Sequence, residues 1–456
     1  ALDKAMEGHA KFPKDTRLLL ILSELSKATD QTNSAVAYLE KILNIKPDNV
    51  DAALALANLF LEIKDPGNAR RVLLESERYG ASSLQLEEML AQINEAMGDD
   101  AGTIAALAKI LEMNGDDEVR KKLARYLVKQ GNYRDAIVHF EVLEQKSLIT
   151  ADLRQDFARS LKATGRIQEA VDVLKQLLKE DPGDYATARF LADIYLQKED
   201  FFNAKIFLEA ARRADTRDAQ VHFLLGTCCL KLQDDKCAME SLQQAVTQDQ
   251  EKLAYRVAYA NLLFRLSRAS AGKLKQAQLR EARENFDYIV ARYETDVTIA
   301  KSAQNADIYF NRGTILFETG HFNDALRDLD KAMTLAPSRY DILVAYADNL
   351  YKMNRYDQAI KYYQEMLDSK VQIAHAYFYL GKIHLFRGQR EKAKAYLLKC
   401  IGNEPKAFPD AHRHLGDIFK EKGLRKKARD HYKTYLELVG DNGPAAEHVR
   451  SALRKL

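Results

Sequence analysis

Ala306 to Pro337 reads ADIYFNRGTILFETGHFNDALRDLDKAMTLAP. Apolar residues recur three and four apart on both sides of a Gly320-His321-Phe322 break. That spacing predicts two amphipathic helices joined by a short polar turn. Tyr309, Leu316 and Phe317 fall on the first helix, and Ala325, Leu329 and Ala332 on the second. The stretch has acids, an amide and one histidine, but no nucleophile, metal-ligand cluster or phosphate loop.

The same frame runs through the chain. Ala325 belongs to a series of Ala35, Ala69, Thr103, Ala136, Ala170, Ala204, Ala238, Ala282, Ala325, Ala359, Ala393 and Ala428, spaced by about 34 residues except on either side of Ala282. Upstream in each frame sits a second small residue, such as Ala57, Ala192, Gly226, Gly313, Ala347, Gly381 or Gly416. Downstream comes a large one, such as Leu39, Phe140, Leu208, Leu242, Leu329, Tyr363 or Tyr432. Pro47, Pro182, Pro337 and Pro405 mark unit ends. Small residues let two helix backbones approach, and large ones fill the space between units.

This pattern resembles the tetratricopeptide repeat, a helix-turn-helix unit with a small residue in its first helix, an alanine in its second and proline at its end. The resemblance implies an all-α fold, a right-handed α-α superhelical solenoid. On that frame residues 1–15 are expected to be the end of a preceding repeat and 16–252 seven units. Residues 253–305 make an eighth unit with insertions, 306–442 four more, and 443–456 a C-terminal capping helix. Tryptophan, often found near the start of such units, is absent, and Tyr309 and Tyr377 stand in that place.

Composition agrees with an ordered helical array. The 456 residues include only 8 prolines and 20 glycines, with 46% hydrophobic and 30% charged residues. A net charge of +3 argues against a global nucleic-acid footprint, and the most apolar run, Leu18 to Leu22, is too short to span a bilayer. No GxxxxGK[ST], HExxH, CxxC or GxSxG motif occurs, so the chain reads as non-enzymatic, with no small-molecule substrate, cofactor or metal. His412 and His414 are two apart, which sends helical side chains in different directions and makes no ligand set.

Two features interrupt the frame. The third unit has Thr103 at the alanine position, with Gly98 and Gly102 crowding its turn. The unit around Ala282 carries a basic turn insertion, SRASAGKLKQ, read as a solvated loop, a helix extension or an added contact at 267–281. A second insertion, VTIAKSAQN, precedes the next unit. The run Lys420 to Lys433 is also basic, and as a surface turn it reads mainly as solvation.

Among the four cysteines, Cys229 and Cys237 flank a predicted turn, where a disulfide would staple the hairpin in an oxidising compartment; otherwise a cytoplasmic location is favoured.

In the resembling family, stacked first helices line a concave groove that receives partners. The corresponding positions early in the chain are mostly charged: Glu24, Lys121, Arg125 and Arg159, with the amide Asn58. Later ones are aromatic and polar: Phe223, Thr227, Asn261, Phe264, Phe310, Thr314, Phe317, Asp348, Tyr351, Phe378 and Lys382. Aromatic area with a few polar groups suits a peptide or helix of a protein partner. Phe310, Asn311 and Thr314 do not match the lysine and asparagine set with which some relatives grip a C-terminal carboxylate. The expected function is a protein-interaction scaffold; the alternative is a regulatory or targeting segment of a larger enzyme or secretion or assembly machine.

Overall fold

The structure, a computed structural model, describes residues 2–295, 305–440 and 443–456. Residues 297–304 of the second insertion lie outside the described residues. Among the described residues there are twenty-six α-helices and no strand, divided between two compact units, Ala1–Thr216 and Arg217–Leu456.

Unit 1 holds α1 (Leu2–Lys11), α2 (Thr16–Ala28), α3 (Thr32–Ile45), α4 (Val50–Glu62), α5 (Pro66–Arg78), α6 (Leu84–Met97) and α7 (Asp100–Asn114). It continues through α8 (Asp117–Lys129), α9 (Tyr133–Gln145), α10 (Ala151–Ala163), α11 (Ile167–Glu180), α12 (Tyr185–Gln197) and α13 (Phe201–Ala214). Unit 2 holds α14 (Ala219–Lys231), α15 (Asp235–Gln248), α16 (Leu253–Ala269), α17 (Gly272–Thr295), α18 (Ala306–Glu318) and α19 (Phe322–Leu335). It ends with α20 (Tyr340–Lys352), α21 (Tyr356–Asp368), α22 (Ile373–Phe386), α23 (Arg390–Asn403), α24 (Pro409–Glu421), α25 (Arg425–Val439) and α26 (Pro444–Arg454). From α2 onward, helices pack first with the partner across their own turn and then with the neighbouring pair, so each unit is an all-α repeat stack.

The turns explain why the helices stop where they do. One left-handed residue recurs at nearly the repeat interval: Asp30, Lys64, Gly98, Gly131, Gly165, Glu199 and Gln233 in that order, then Gly320, Asn354, Gly388 and Gly423. The next residue's N–H returns to a carbonyl one turn back, as in Asp65 to Phe60 (2.8 Å), Asp200 to Tyr195 (2.9 Å) and Leu424 to Phe419 (2.9 Å). This closure satisfies carbonyls that the helix end leaves open. In several turns the same residue then caps the next helix, as Asp65, Asp99, Asp200 and Asp234 do with their carboxylates.

Packing follows the small-to-large alternation. Every alanine of the frame from Ala35 to Ala428, except the unit that carries Thr103, is fully buried. A methyl group added at Gly226 would lie 2.7 Å from Leu242 Cγ, and one at Gly416 would lie 2.5 Å from the Tyr432 ring. Thr103 is itself fully buried and donates its hydroxyl proton to the Asp99 carbonyl at 2.8 Å, which lets a polar side chain take the alanine position.

The basic turn insertion is helical. It extends α16 to 17 residues and α17 to 24, and only Ser270 and Ala271 separate them.

Candidate functional site

The frame positions on the first helices differ between the two units. In unit 1 they carry charges that the chain neutralises locally: Lys121 with Glu118 at 2.7 Å, Arg125 with Asp152 at 3.6 Å and Arg159 with Asp156 at 2.8 Å. A polar recess of unit 1, lined by Glu40, Asn44, Arg71, Glu75 and Tyr79, lies mainly on the second helices α3 and α5, apart from this face.

In unit 2 the same positions carry aromatic rings. Phe223 is half-buried on α14 and packs 4.7 Å from the Tyr255 ring. On α18, Phe310 lies under the Arg339 guanidinium at 5.3 Å and Phe317 meets Phe322 at 5.8 Å. Tyr351 on α20 contacts Tyr379 at 5.0 Å. Phe264 and Phe378 sit deeper, 4% and 7% exposed. Phe378 stacks on Phe408 at 4.9 Å, so these two rings act as walls behind the face.

Most polar groups expected on this face are engaged within the chain. Thr227 and Thr314 donate to the Phe223 and Phe310 carbonyls of their own helices at 2.9 and 2.8 Å. Asn311 donates its side-chain amide to the Asn261 oxygen at 2.9 Å. Asp348 accepts the Tyr363 hydroxyl proton at 2.7 Å and lies 2.8 Å from His375 Nε2. Burial and the nearby Asp348 carboxylate push the Tyr363 phenol far above its ordinary pKa. A matching pair recurs on the last repeat, where the Tyr432 hydroxyl donates to Asp417 at 2.6 Å.

Lys382 on α22 differs from these. Its ammonium nitrogen lies 5.1, 5.2 and 5.3 Å from the ring centres of Tyr351, Phe378 and Tyr379. Burial pulls its pKa below the usual lysine value. Sequence reading picked out Lys382 but missed Tyr379, His375, Tyr363 and Phe408 around it. One signal was present: in two units a tyrosine replaces leucine at the large frame position while an aspartate follows the small one, Asp348 with Tyr363 and Asp417 with Tyr432.

Cys229 and Cys237 face each other across the α14–α15 turn, with Cα atoms 5.8 Å apart and sulfurs at bonding distance. Asp234 is the third group there that could hold a metal, but it already caps α15, and the two sulfurs are bonded to each other. Cys228 and Cys400 are buried thiols whose pKa values burial raises to about 11 and about 12, which makes them poor nucleophiles.

The insertion's basic groups are partly engaged. Arg265 pairs with Asp235, Lys275 with Glu318 at 2.9 Å, and the Arg268 guanidinium lies 4.7 Å over Phe264. In the later basic run, Lys422 pairs with Glu391 and Lys427 lies 5.7 Å over Phe419. Among the described residues no helix is long and apolar enough to cross a membrane.

Comparison with known proteins adds a family. The tetratricopeptide repeat profile matches residues 26–93, 161–228 and 316–380, and a second profile of the same description matches 374–406. Lipopolysaccharide assembly protein B of Escherichia coli (strain K12) is 25% identical over 231 residues, 49% of this chain and 51% of that protein. The chain therefore matches about half the length of that relative. Protein O-mannosyl-transferase TMTC1 of Homo sapiens is 24% identical over 146 residues, 31% of this chain and 17% of that protein. Among solved structures, Naa15/Naa10 bound to HypK-THB aligns with 15% identity and a TM-score of 0.44, covering 96% of this chain and 65% of that one.

Proposed function

Because the chain belongs to the tetratricopeptide repeat family, whose members are protein-interaction scaffolds, we propose that its first-helix face in unit 2 receives a peptide or helix of a protein partner. The division into twelve repeats, with 253–305 as an expanded eighth, is the frame of this reading. The observation that carries it is the row of half-buried rings Phe223, Phe310, Phe317 and Tyr351, set against a self-paired charged face in unit 1. Such rings supply contact area at low entropic cost, and they are the residue types that dominate binding energy at interfaces. Because the neighbouring threonine, asparagine and aspartate groups are already hydrogen-bonded, an apolar segment can lie across them without stranding polar atoms.

The test is affinity capture of partners from the source cells by the wild type and by a Phe310→Ser, Phe317→Ser, Tyr351→Ser variant. The variant should lose the captured partner while its circular dichroism stays helical. Undiminished capture would sink the groove assignment.

A second reading draws on the relatives. The repeats serve as a regulatory or targeting segment of a larger enzyme or assembly machine, as the 17% share of TMTC1 and the word assembly in the bacterial relative's name favour. Under this reading the protein elutes in a stoichiometric complex when isolated at native level; elution as a lone chain counts against it.

A further inference from the structure

Lys382 is held in a seat that its own chain leaves incomplete. Three rings surround its ammonium group, Tyr351 from the preceding repeat and Phe378 and Tyr379 from its own helix, at 5.1 to 5.3 Å. Ring faces attract a cation and remove water from one side of it, but they do not neutralise it. Among the described residues no carboxylate oxygen lies within 4.0 Å of its nitrogen, whereas the acids around it are taken. Asp348 is shared by Tyr363 and His375, and Asp410 holds Arg413 at 2.7 Å. Arg413, the nearest frame cation on α24, is therefore occupied, and burial with the adjacent Arg413 charge lowers the His414 pKa to about 4, which leaves that ring neutral near pH 7.

Lys382 thus sits against three rings with no close ion pair, and Asp410 and Asp348 reach it only as longer-range charges. One turn further along α22, Phe386 is 73% exposed and packs on Tyr356 at a tilt, with ring centres 4.9 Å apart. The face offers a positive point next to an uncovered apolar one.

We propose that Lys382 is the specificity-determining contact of the partner face, pairing with a side-chain carboxylate of the partner whose neighbouring apolar residue covers Tyr351 and Phe386. This rests on the groove reading above and narrows it to an acidic-apolar segment. An aspartate or glutamate side chain is favoured over a chain terminus because no second free cation stands beside Lys382 to hold a terminal carboxylate and fix its direction. A charge pair over a ring floor is screened less than one on an open surface, so it discriminates between partners as well as adding affinity.

The experiment selects random twelve-residue peptides displayed on phage, whose C-termini are not free, against the full chain, and remakes the winners as amidated synthetic peptides. Wild-type winners should share an aspartate or glutamate next to an apolar residue. Changing that acid to its amide should weaken binding by about 10- to 100-fold, the effect of one charged hydrogen bond. Lys382→Met, which keeps the apolar stem over the rings, should show the same loss and no further loss with the amide peptide. Lys382→Glu should recover binding to a peptide whose acid is replaced by lysine, which shows that the variant is folded. Winners that depend on Tyr351 but carry no acid, or that bind Lys382→Met undiminished, overturn the carboxylate assignment and leave the groove standing. Winners indifferent to Tyr351→Ser and Phe317→Ser, or no winners at all, overturn the groove reading and this proposal with it.

Discussion

The closest approach between paired helices is decided by single atoms. Glycine-to-alanine changes raise helix propensity by about 1 kcal/mol, whereas an added methyl in a full contact costs about 1 to 3 kcal/mol. At Gly416 the methyl would lie 2.5 Å from the Tyr432 ring, so the steric cost wins. At Gly402 nothing lies within 4 Å, so propensity wins. Urea unfolding should therefore show Gly416→Ala destabilised and Gly402→Ala slightly stabilised. Two repeats earlier Ala347 and Tyr363 occupy the equivalent positions within one buried cluster, so a stabilised Gly416→Ala would mean that the last repeat relaxes to that wider spacing. Titration gives a second prediction at this scale. His431 Nδ1 lies 3.0 Å from His412 Nδ1 and its ring stacks on Phe419 at 5.4 Å. Burial, then the neighbouring His412, lowers its pKa from 6.5 to about 4. A group depressed in the folded state is bound by more protons when unfolded, so its stabilisation is complete above pH 6.5 and is lost as pH falls toward 4. Between about pH 7.5 and about pH 5 the wild-type urea midpoint should drop more than that of His431→Gln; equal drops would assign the acid sensitivity elsewhere.

At the scale of the helix hairpin, the turn is where local strain remains. Glu199 is exposed and adopts φ of 55°, in a position that glycine fills in other repeats, such as Gly165 and Gly320. A side chain in the left-handed region costs about 1 kcal/mol, so Glu199→Gly should raise stability by up to about 0.6 kcal/mol once the freer unfolded chain is deducted. Unfolding midpoints in urea measure this directly. The α14–α15 hairpin has a covalent version of the same closure. A link between residues 8 apart, Cys229 and Cys237, restricts the unfolded chain by about 2 to 3 kcal/mol on the loop-entropy account. Protein isolated without reductant should show two reactive thiols when denatured and four after reduction, with a lower urea midpoint in the reduced form; four thiols from the outset would place the chain in a reducing compartment. These hairpins were legible in the sequence because contact between two helices imposes a residue-size rule at fixed positions, Gly313 on α18 against Leu329 on α19 being one instance. The seat around Lys382 was not, because Tyr351, Tyr379 and Phe408 come from three different frame positions, and the engagement of Asp348 depends on a tyrosine one helix away and a histidine in the next repeat.

At the scale of the whole molecule, repeat stacks hold together through contacts between neighbours, so stability is close to a sum of local terms and long-range contacts are few. The chain accordingly separates into Ala1–Thr216 and Arg217–Leu456, each compact in itself. The aromatic and polar first-helix positions from Phe223 to Lys382 all belong to the second, and the paired charges Lys121, Arg125 and Arg159 to the first. If the binding face is built only from side chains of the second unit, residues 217–456 expressed alone should give a helical circular dichroism spectrum and a cooperative urea transition. They should also bind a peptide selected on the full chain with a Kd within about threefold, less than half of the 1.4 kcal/mol that a tenfold change represents. Residues 1–216 should fold and show no binding. Fluorescence anisotropy on the two fragments measures both expectations. Loss of binding in a folded 217–456 fragment, or binding retained by 1–216, would move the recognition face out of the rings around Phe310 and Tyr351 and toward the charged helices of the first unit.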